Sequence, residues 1–437
     1  MHKFLFLVLF FGISSSLVGC GEDLATLDEN GVATLTFWTF ADSHADYFQD
    51  AADSWNEQNP DRPIKLDTTV LPFDQMHQNL LISLLSGTGA PDLVDVEVGQ
   101  AELFLNHKNP PFLALNEEIA AFEDYLVPSR LENFIVNGDY FAIDYHVGTM
   151  VMYYNEEILE SAGVDYREIR TWEQFVEAGK VVVAETGKWM TQIETANTIA
   201  FDGMIAQQGK DYTVAGRANF GTEESIRALN LLHDMIYEDE IARPMVGGQI
   251  DSEEFYAEMN NGNLAALMAP AWYMGRFLNQ MPNLDGKIAV APLPVFNETD
   301  NRSSSWGGTA TMVTNQANHE KLAKEFAVWA KSDFNQAIKQ WTVLGFDPVR
   351  WDVWESDELR VANEVTQYFG TEIFDTLLEL QDETSAIRSS AENSSVIRDH
   401  FITNVLPNVI SQPDLTPEAA LKNADELLNA EFDRMRK

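Results

Sequence analysis

From Val32 onward, short apolar runs alternate with apolar positions at helical spacing. Leu35-Thr36-Phe37-Trp38-Thr39-Phe40 is rich in β-branched and aromatic residues and predicts a buried strand. Tyr47, Phe48, Ala51, Ala52 and Trp55 then recur at helical spacing and stop before Asn59-Pro60. Ile64, Leu66, Thr68 and Val70 alternate as a strand does. Phe73, Met76, Leu80 and Leu84 mark a second helix closed by Gly87, and Leu93 to Val96 forms a third strand. This β-α-β-α-β order predicts a parallel sheet flanked by helices. Ligands of such sheets sit beyond the carboxyl ends of the strands, which here are Phe40-Ala41-Asp42 and Glu97-Val98-Gly99.

Farther along, Tyr140 to Ile143 and Met150 to Tyr154 read as two strands joined through Asp144-Tyr145-His146-Val147-Gly148. A helix starts near Glu156, with Gly163 as its stop. Thr171-Trp172-Glu173-Gln174 has the pattern of a capping box for the next helix. Helices are expected around Glu223 to Tyr237 and Glu253 to Asn260, and strands at Leu264 to Met268 and Ile288 to Val290. Ser303 to Thr309, rich in Ser and Gly, reads as a loop. Thr416 and Pro417 open a final helix expected to run through Leu428. No internal repeat and no low-complexity tract interrupts the pattern.

Composition changes the picture in two ways. The 437 residues are 45% hydrophobic and 22% charged, which suits a packed protein of two or three domains, or of two lobes sharing one chain. The balance of 69 acidic to 28 basic residues gives a formal charge of −41. That field repels nucleic acid and favours a neutral or cationic ligand. The N-terminus carries one lysine, an apolar run from Phe4 to Ile13, and then Ser14-Ser15-Ser16-Leu17-Val18-Gly19-Cys20, as an export signal does. Leu-Val-Gly-Cys resembles the lipobox of bacterial lipoproteins. The resemblance implies a signal peptide over 1–20, lipid on Cys20, an acidic tether over 21–31 and an extracytoplasmic location. Cys20 is the one cysteine of the chain, so no disulfide is expected.

Leu35 to Phe40, Ala90-Pro91-Asp92-Leu93-Val94, Tyr145-His146-Val147-Gly148-Thr149 and Tyr154-Asn155 resemble segments of the solute-binding proteins of carbohydrate ABC importers, the maltose-binding-protein class. So do Thr171 to Phe175, Gly262 to Met268 followed by Trp272, Ala291-Pro292-Leu293-Pro294, and Gly307-Gly308. Their order and spacing, over about 32 to 350, carry the likeness. It implies an α/β chain with the two-lobed periplasmic-binding-protein type II fold and a hinge between the lobes. The expected lobes are 32–146 plus about 309–345, and 147–308 plus about 346–437. It further implies a monomer that takes a carbohydrate, with an oligosaccharide favoured, and presents it to permease subunits. No cofactor, no metal and no catalytic residues are implied. The family often has Pro-Tyr-Asp-Val-Gly at the lobe crossing, where this chain has Asp144-Tyr145-His146-Val147-Gly148.

A sugar ring offers C–H faces to aromatic side chains and hydroxyls to carboxylates, amides and backbone groups. Among the ten tryptophans, Trp272 follows Pro270 at the position where the family often stacks an indole on sugar. Tyr273 beside it, Trp306 before Gly307, and Trp341 are the other aromatic candidates, against packing roles for each. Gly307 allows close backbone approach. Phe40, Asp42 and Glu97 stand past strand ends, where Asp42 could instead cap the first helix. Tyr145 and His146 lie at the expected crossing. Trp38 and Trp55 are expected in the core, and Trp351 and Trp354 in structural roles. Three other readings stay open at this stage: a glycoside-active enzyme, which needs two carboxylates about 5 to 10 Å apart, a binding protein for a non-sugar solute such as a polyamine, and a surface receptor feeding a sensor kinase.

Overall fold

The computed structural model describes residues 27–436 with the exception of Ala362, so the apolar leader and Cys20 lie outside the described residues. The expected tether enters them only at its end. There the Asp28 carboxylate accepts the amides of Asn30 and Val32 at 2.8 and 2.9 Å and closes a turn before the first strand.

Strand β1 (Ala33–Thr39), helix α1 (Asp42–Gln58), strand β2 (Ile64–Val70), helix α2 (Phe73–Ser86) and strand β3 (Leu93–Glu97) follow the predicted order. β1 pairs in parallel with β2 on one side and with β3 on the other. α1 buries the helical stripe Tyr47, Phe48, Ala51, Ala52 and Trp55. α2 ends at Gly87, whose φ of +74° is the left-handed cap that glycine takes without a Cβ penalty. Leu35, Phe37, Leu93, Ile143 and Val313 form the core on one face of this sheet. Val94, Val96, Ala310 and Met312 meet Met76 and Leu80 of α2 on the other.

The sheet is mixed, where the sequence pattern predicts a parallel one. Thr309, expected to end a loop, begins the strand Thr309–Val313, which runs antiparallel beside β3 and is paired on its far edge by Ile143–Asp144. This strand alternates Thr with Ala and Met and so reads as half-exposed. All five residues are in fact buried, because the strand is internal to the sheet with a core on each face, and the Thr311 hydroxyl donates at 2.6 Å to the buried Asp95 carboxylate.

A second core is built on Met150–Asn155, which is buried at every position. It pairs antiparallel with Ala266–Pro270 and with Ile288–Ala291. The strand expected at Leu264 to Met268 thus lies two residues later, since Leu264 bridges Trp189 instead. Pro270 is tolerated because it ends the strand at a sheet edge. The capping box is present: the Gln174 amide donates to the Thr171 hydroxyl at 3.2 Å, and the Gln174 side chain accepts from the Thr171 amide at 3.1 Å. The last helix, Pro417–Met435, passes the expected end at Leu428 because Phe432 continues its buried stripe.

Three segments run side by side between the two cores. Bridges join His146 to Pro348 and Thr149 to Ser305. The Tyr145 amide donates to the Thr309 carbonyl at 3.1 Å, Val147 to Asp347 at 2.8 Å, and Trp306 to Gly148 at 3.0 Å. The Asp347 side chain, on one of the three segments, ties it to another by accepting the amides of Gly148 and Thr149 at 3.2 and 2.8 Å. Burial raises the Asp347 carboxyl to about 6, against the pull of these amides.

Candidate functional site

Beside the crossing lies a cavity of about 30 Å³ to which both cores contribute. The first sheet brings Glu97 and Val98 from the end of β3, and the second core brings Asp202, Tyr212 and Arg398. Ser305, Trp306 and Gly307 enter from the crossing. The Trp306 indole N–H donates to Asp202 Oδ2 at 3.1 Å, and the Thr198 hydroxyl donates to the same oxygen at 2.5 Å. The Arg398 guanidinium stands 5.5 Å from the Trp306 ring centroid, in cation–π range.

Burial pushes the Asp202 carboxyl up, while Arg398 and the Thr198, Trp306 and Tyr212 donors pull it back. Glu97 accepts its own turn's Gly99 amide at 2.8 Å. Burial raises Glu97 to about 7, with Arg398 as the largest opposing influence. The cavity thus sets two carboxylates and an arginine around one indole. Such a set can accept from and donate to hydroxyls while the ring covers an apolar face.

Arg130, fully buried, fixes the wall. It forms an ion pair with Asp144 and donates to the Gly307 carbonyl at 3.0 Å and the Ser305 hydroxyl at 3.3 Å. A side chain at Gly308 would stand 2.1 Å from Arg130 Nη2, so glycine is required there. Next to this cavity a wider groove of about 600 Å³ opens, lined by Ser129, Asn301, Gln381, Ser385 and Arg388 and sharing Asn133 and Ala386 with it.

Of the residues named from sequence, Glu97, Trp306 and Gly307 line the cavity. Trp272 adjoins them: its indole N–H donates to the Trp306 carbonyl at 3.3 Å, and the two ring systems lie 6.3 Å apart. The others are placed differently. Tyr273 is buried and donates to the Ile250 carbonyl at 2.6 Å. Trp341 is 1% exposed and packs on Phe374 at 5.1 Å. Tyr145 is fully buried and donates to Asp95 at 2.9 Å. His146 is buried at the crossing, 4.6 Å from the Phe346 ring, and burial holds its pKa well below the usual histidine range. The structure brings none of these four to the cavity wall, because each side chain points into packing and not past a strand end. Phe40 lies half-buried against Phe73 and His77. Asp42 is exposed in the first turn of α1, and it is not the cap, which is Ala41 without a side-chain bond.

Sequence reasoning missed Asp202, Arg130, Tyr212 and Arg398. Asp202 had a signal: it is the one charge in the apolar run Ile199 to Ala206. The two arginines had none, since their partners are remote in sequence.

The profile of bacterial extracellular solute-binding proteins matches residues 41–337. An arabinooligosaccharide-binding protein of Halalkalibacterium halodurans is 46% identical over 408 residues, 93% of this chain and 91% of that one. One of Bacillus subtilis is 41% identical over 422 residues, 96% and 97% of the two chains. Among solved structures, the sugar-binding protein MalE of Xanthomonas citri superposes with a TM-score of 0.78 at 18% identity, over 92% of this chain and 98% of that one. The chain belongs to the bacterial extracellular solute-binding protein family and has the two-lobed fold of its sugar-binding members.

Proposed function

We propose that this chain captures arabino-oligosaccharides outside the cytoplasm and hands them to the permease subunits of an ABC importer. The observation that carries the reading is the cavity between the two cores, where Trp306 contacts both Asp202 and Arg398 and Glu97 is contributed from the other lobe. The ligand class is supported by the two relatives above, whose likeness to this chain runs nearly end to end. Lobes 32–146 with 309–345, and 147–308 with 346–437, turn about the three crossings and close on the sugar. Glu97, Asp202 and Arg398 take hydroxyls, and Trp306 and Trp272 cover ring faces. The cavity of about 30 Å³ holds no more than a water or two, so the sugar rings lie in the adjoining groove of about 600 Å³, with the cavity's polar groups at its inner end.

The protein works as a monomer, is held at the membrane by lipid on Cys20, and releases its sugar uncut. A neutral ligand suits the −41 charge.

A thermal-shift panel of arabino-, malto- and galacto-oligosaccharides tests this, with chromatography of the sugars afterwards. A ligand at 100 times its Kd adds about 2.7 kcal/mol of stability. The expected result is a raised melting temperature with arabino-oligosaccharides, which are recovered intact. A shift with maltotriose alone, or shortened products, would overturn the reading. Cys20→Ser tests the anchor: the variant is expected in the soluble fraction or unprocessed, and equal membrane retention would contradict the lipid.

A further inference from the structure

Glu102 stands on the short helix Ala101–Leu105, whose Ala101, Phe104 and Leu105 are buried in the core behind β3. Its carboxylate reaches across to residues 393–395, where the helix Ser394–His400 begins. That helix belongs to the other core: Ile397 is buried in it, and Phe401 just beyond stacks on Phe201 at 4.2 Å. Glu102 accepts the Asn393 amide, the Ser395 amide at 2.9 Å and the Ser395 hydroxyl at 2.7 Å. The Ser394 hydroxyl lies 3.2 Å away, but its single proton goes to the Ser389 carbonyl at 2.5 Å.

The receiving loop is preset. Asn393 is held at φ +63°, and its side-chain amide donates to the Gly216 carbonyl at 2.7 Å. One turn along the same helix stands Arg398, which lines the cavity and covers Trp306. Neither Glu102 nor residues 393–395 line that cavity.

We propose that Glu102 is a closure latch: a positioning residue that touches no sugar, binds the start of the helix Ser394–His400 when the lobes close, and so sets Arg398 over the site. The inference rests on the hinged-capture reading above. Two physical points favour it. Hydrogen bonds to a carboxylate are stronger than neutral ones. Bringing together two lobes of a chain with charge −41 also meets repulsion, which a specific contact across the cleft offsets. The latch joins protein to protein, so it shifts the balance of open and closed forms even when no sugar is present.

Single-molecule energy transfer on the full chain in detergent reads that balance. The fluorophores are carried by unnatural amino acids at the exposed positions 67 and 185, one in each lobe. Glu102→Gln is expected to lower the closed-to-open ratio about tenfold, the size of one charge-assisted hydrogen bond. Ser395→Ala lowers it less, and the double variant falls no further than Glu102→Gln alone, because the two changes remove one interaction. Glu102→Asp, which keeps the charge, recovers part of the ratio. An unchanged ratio in Glu102→Gln overturns the latch, as does a lowered melting temperature with the ratio intact, or additive effects in the double variant. Arabinotriose is the sugar probe. If it leaves the wild-type ratio unmoved, the proposed ligand fails, while the latch is still judged on the sugar-free ratios.

Discussion

The indole N–H of Trp306 donates to the carboxylate of Asp202 across 3.1 Å. This bond ties the crossing segment to the helix Ile199–Gln207 and holds a buried acid at the cavity wall. The Thr198 hydroxyl, Tyr212 and Arg398 steady the same group. An indole so held cannot turn freely, which lowers the entropy cost of ordering it against a sugar.

Trp306→Phe keeps an aromatic ring and removes the donor. Leaving a buried acceptor short of a partner costs about 1–3 kcal/mol. We expect a loss of that size in urea unfolding, together with weaker arabinotriose binding in calorimetry. With Asp202→Asn added, the effects on binding should be clearly less than additive. Additive effects would show that the two residues act separately.

Gly148 has φ +68°, and a side-chain carbon there would stand 2.5 Å from the Trp306 carbonyl oxygen. Both facts require glycine, and they do so in the middle of the crossing. Gly148→Ala is expected to cost at least about 1–3 kcal/mol, from backbone strain before the clash is counted. Equilibrium unfolding measures this directly. A variant as stable as wild type would mean that the crossing yields easily.

Lys331 is fully buried, 3.2 Å from the Tyr145 ring centroid, and donates to the Ile143 carbonyl at 3.1 Å. Burial lowers its pKa from the ordinary 10.5 to about 7, against the pull of Asp95 and Asp144. Between those two values the unfolded chain holds a proton that the folded chain lacks, so this group makes stability rise with pH across the window. The contribution is lost as pH falls through about 7. Lys331→Met removes the dependence. The stability of wild type relative to Lys331→Met should therefore grow from pH 7 to pH 10.5, read by urea unfolding. A constant difference would mean that Lys331 stays charged in the fold.

The order of elements was legible in the sequence because their apolar spacing is strong. The α1 stripe from Tyr47 to Trp55 and the Thr171-to-Gln174 capping box are local patterns that tertiary contacts did not override. Thr309–Val313 was not legible as a strand, because its threonines read as exposed until Asp95 is known to lie beside Thr311 on the neighbouring strand. Glu97, Trp306 and Gly307 could be read because strand ends and paired glycines mark where a chain meets a ligand. Tyr145 is a candidate for its place at the crossing, and Tyr273 and Trp341 as aromatics able to stack on sugar, yet sequence does not say which way a side chain turns, and all three turn inward. Arg130 and Arg398 could not be found: each is an isolated arginine until folding brings Asp144, or Glu97 and Asp202, beside it.

Calorimetric titration of the full chain with arabinotriose, beside maltotriose and beside Asp202→Asn, tests the central claim most directly. We expect one saturable site for arabinotriose, much weaker heat with maltotriose, and a marked loss of arabinotriose affinity in Asp202→Asn. No saturable heat from arabinotriose, or equal affinity in the folded Asp202→Asn variant, would contradict arabino-oligosaccharide capture at this cavity.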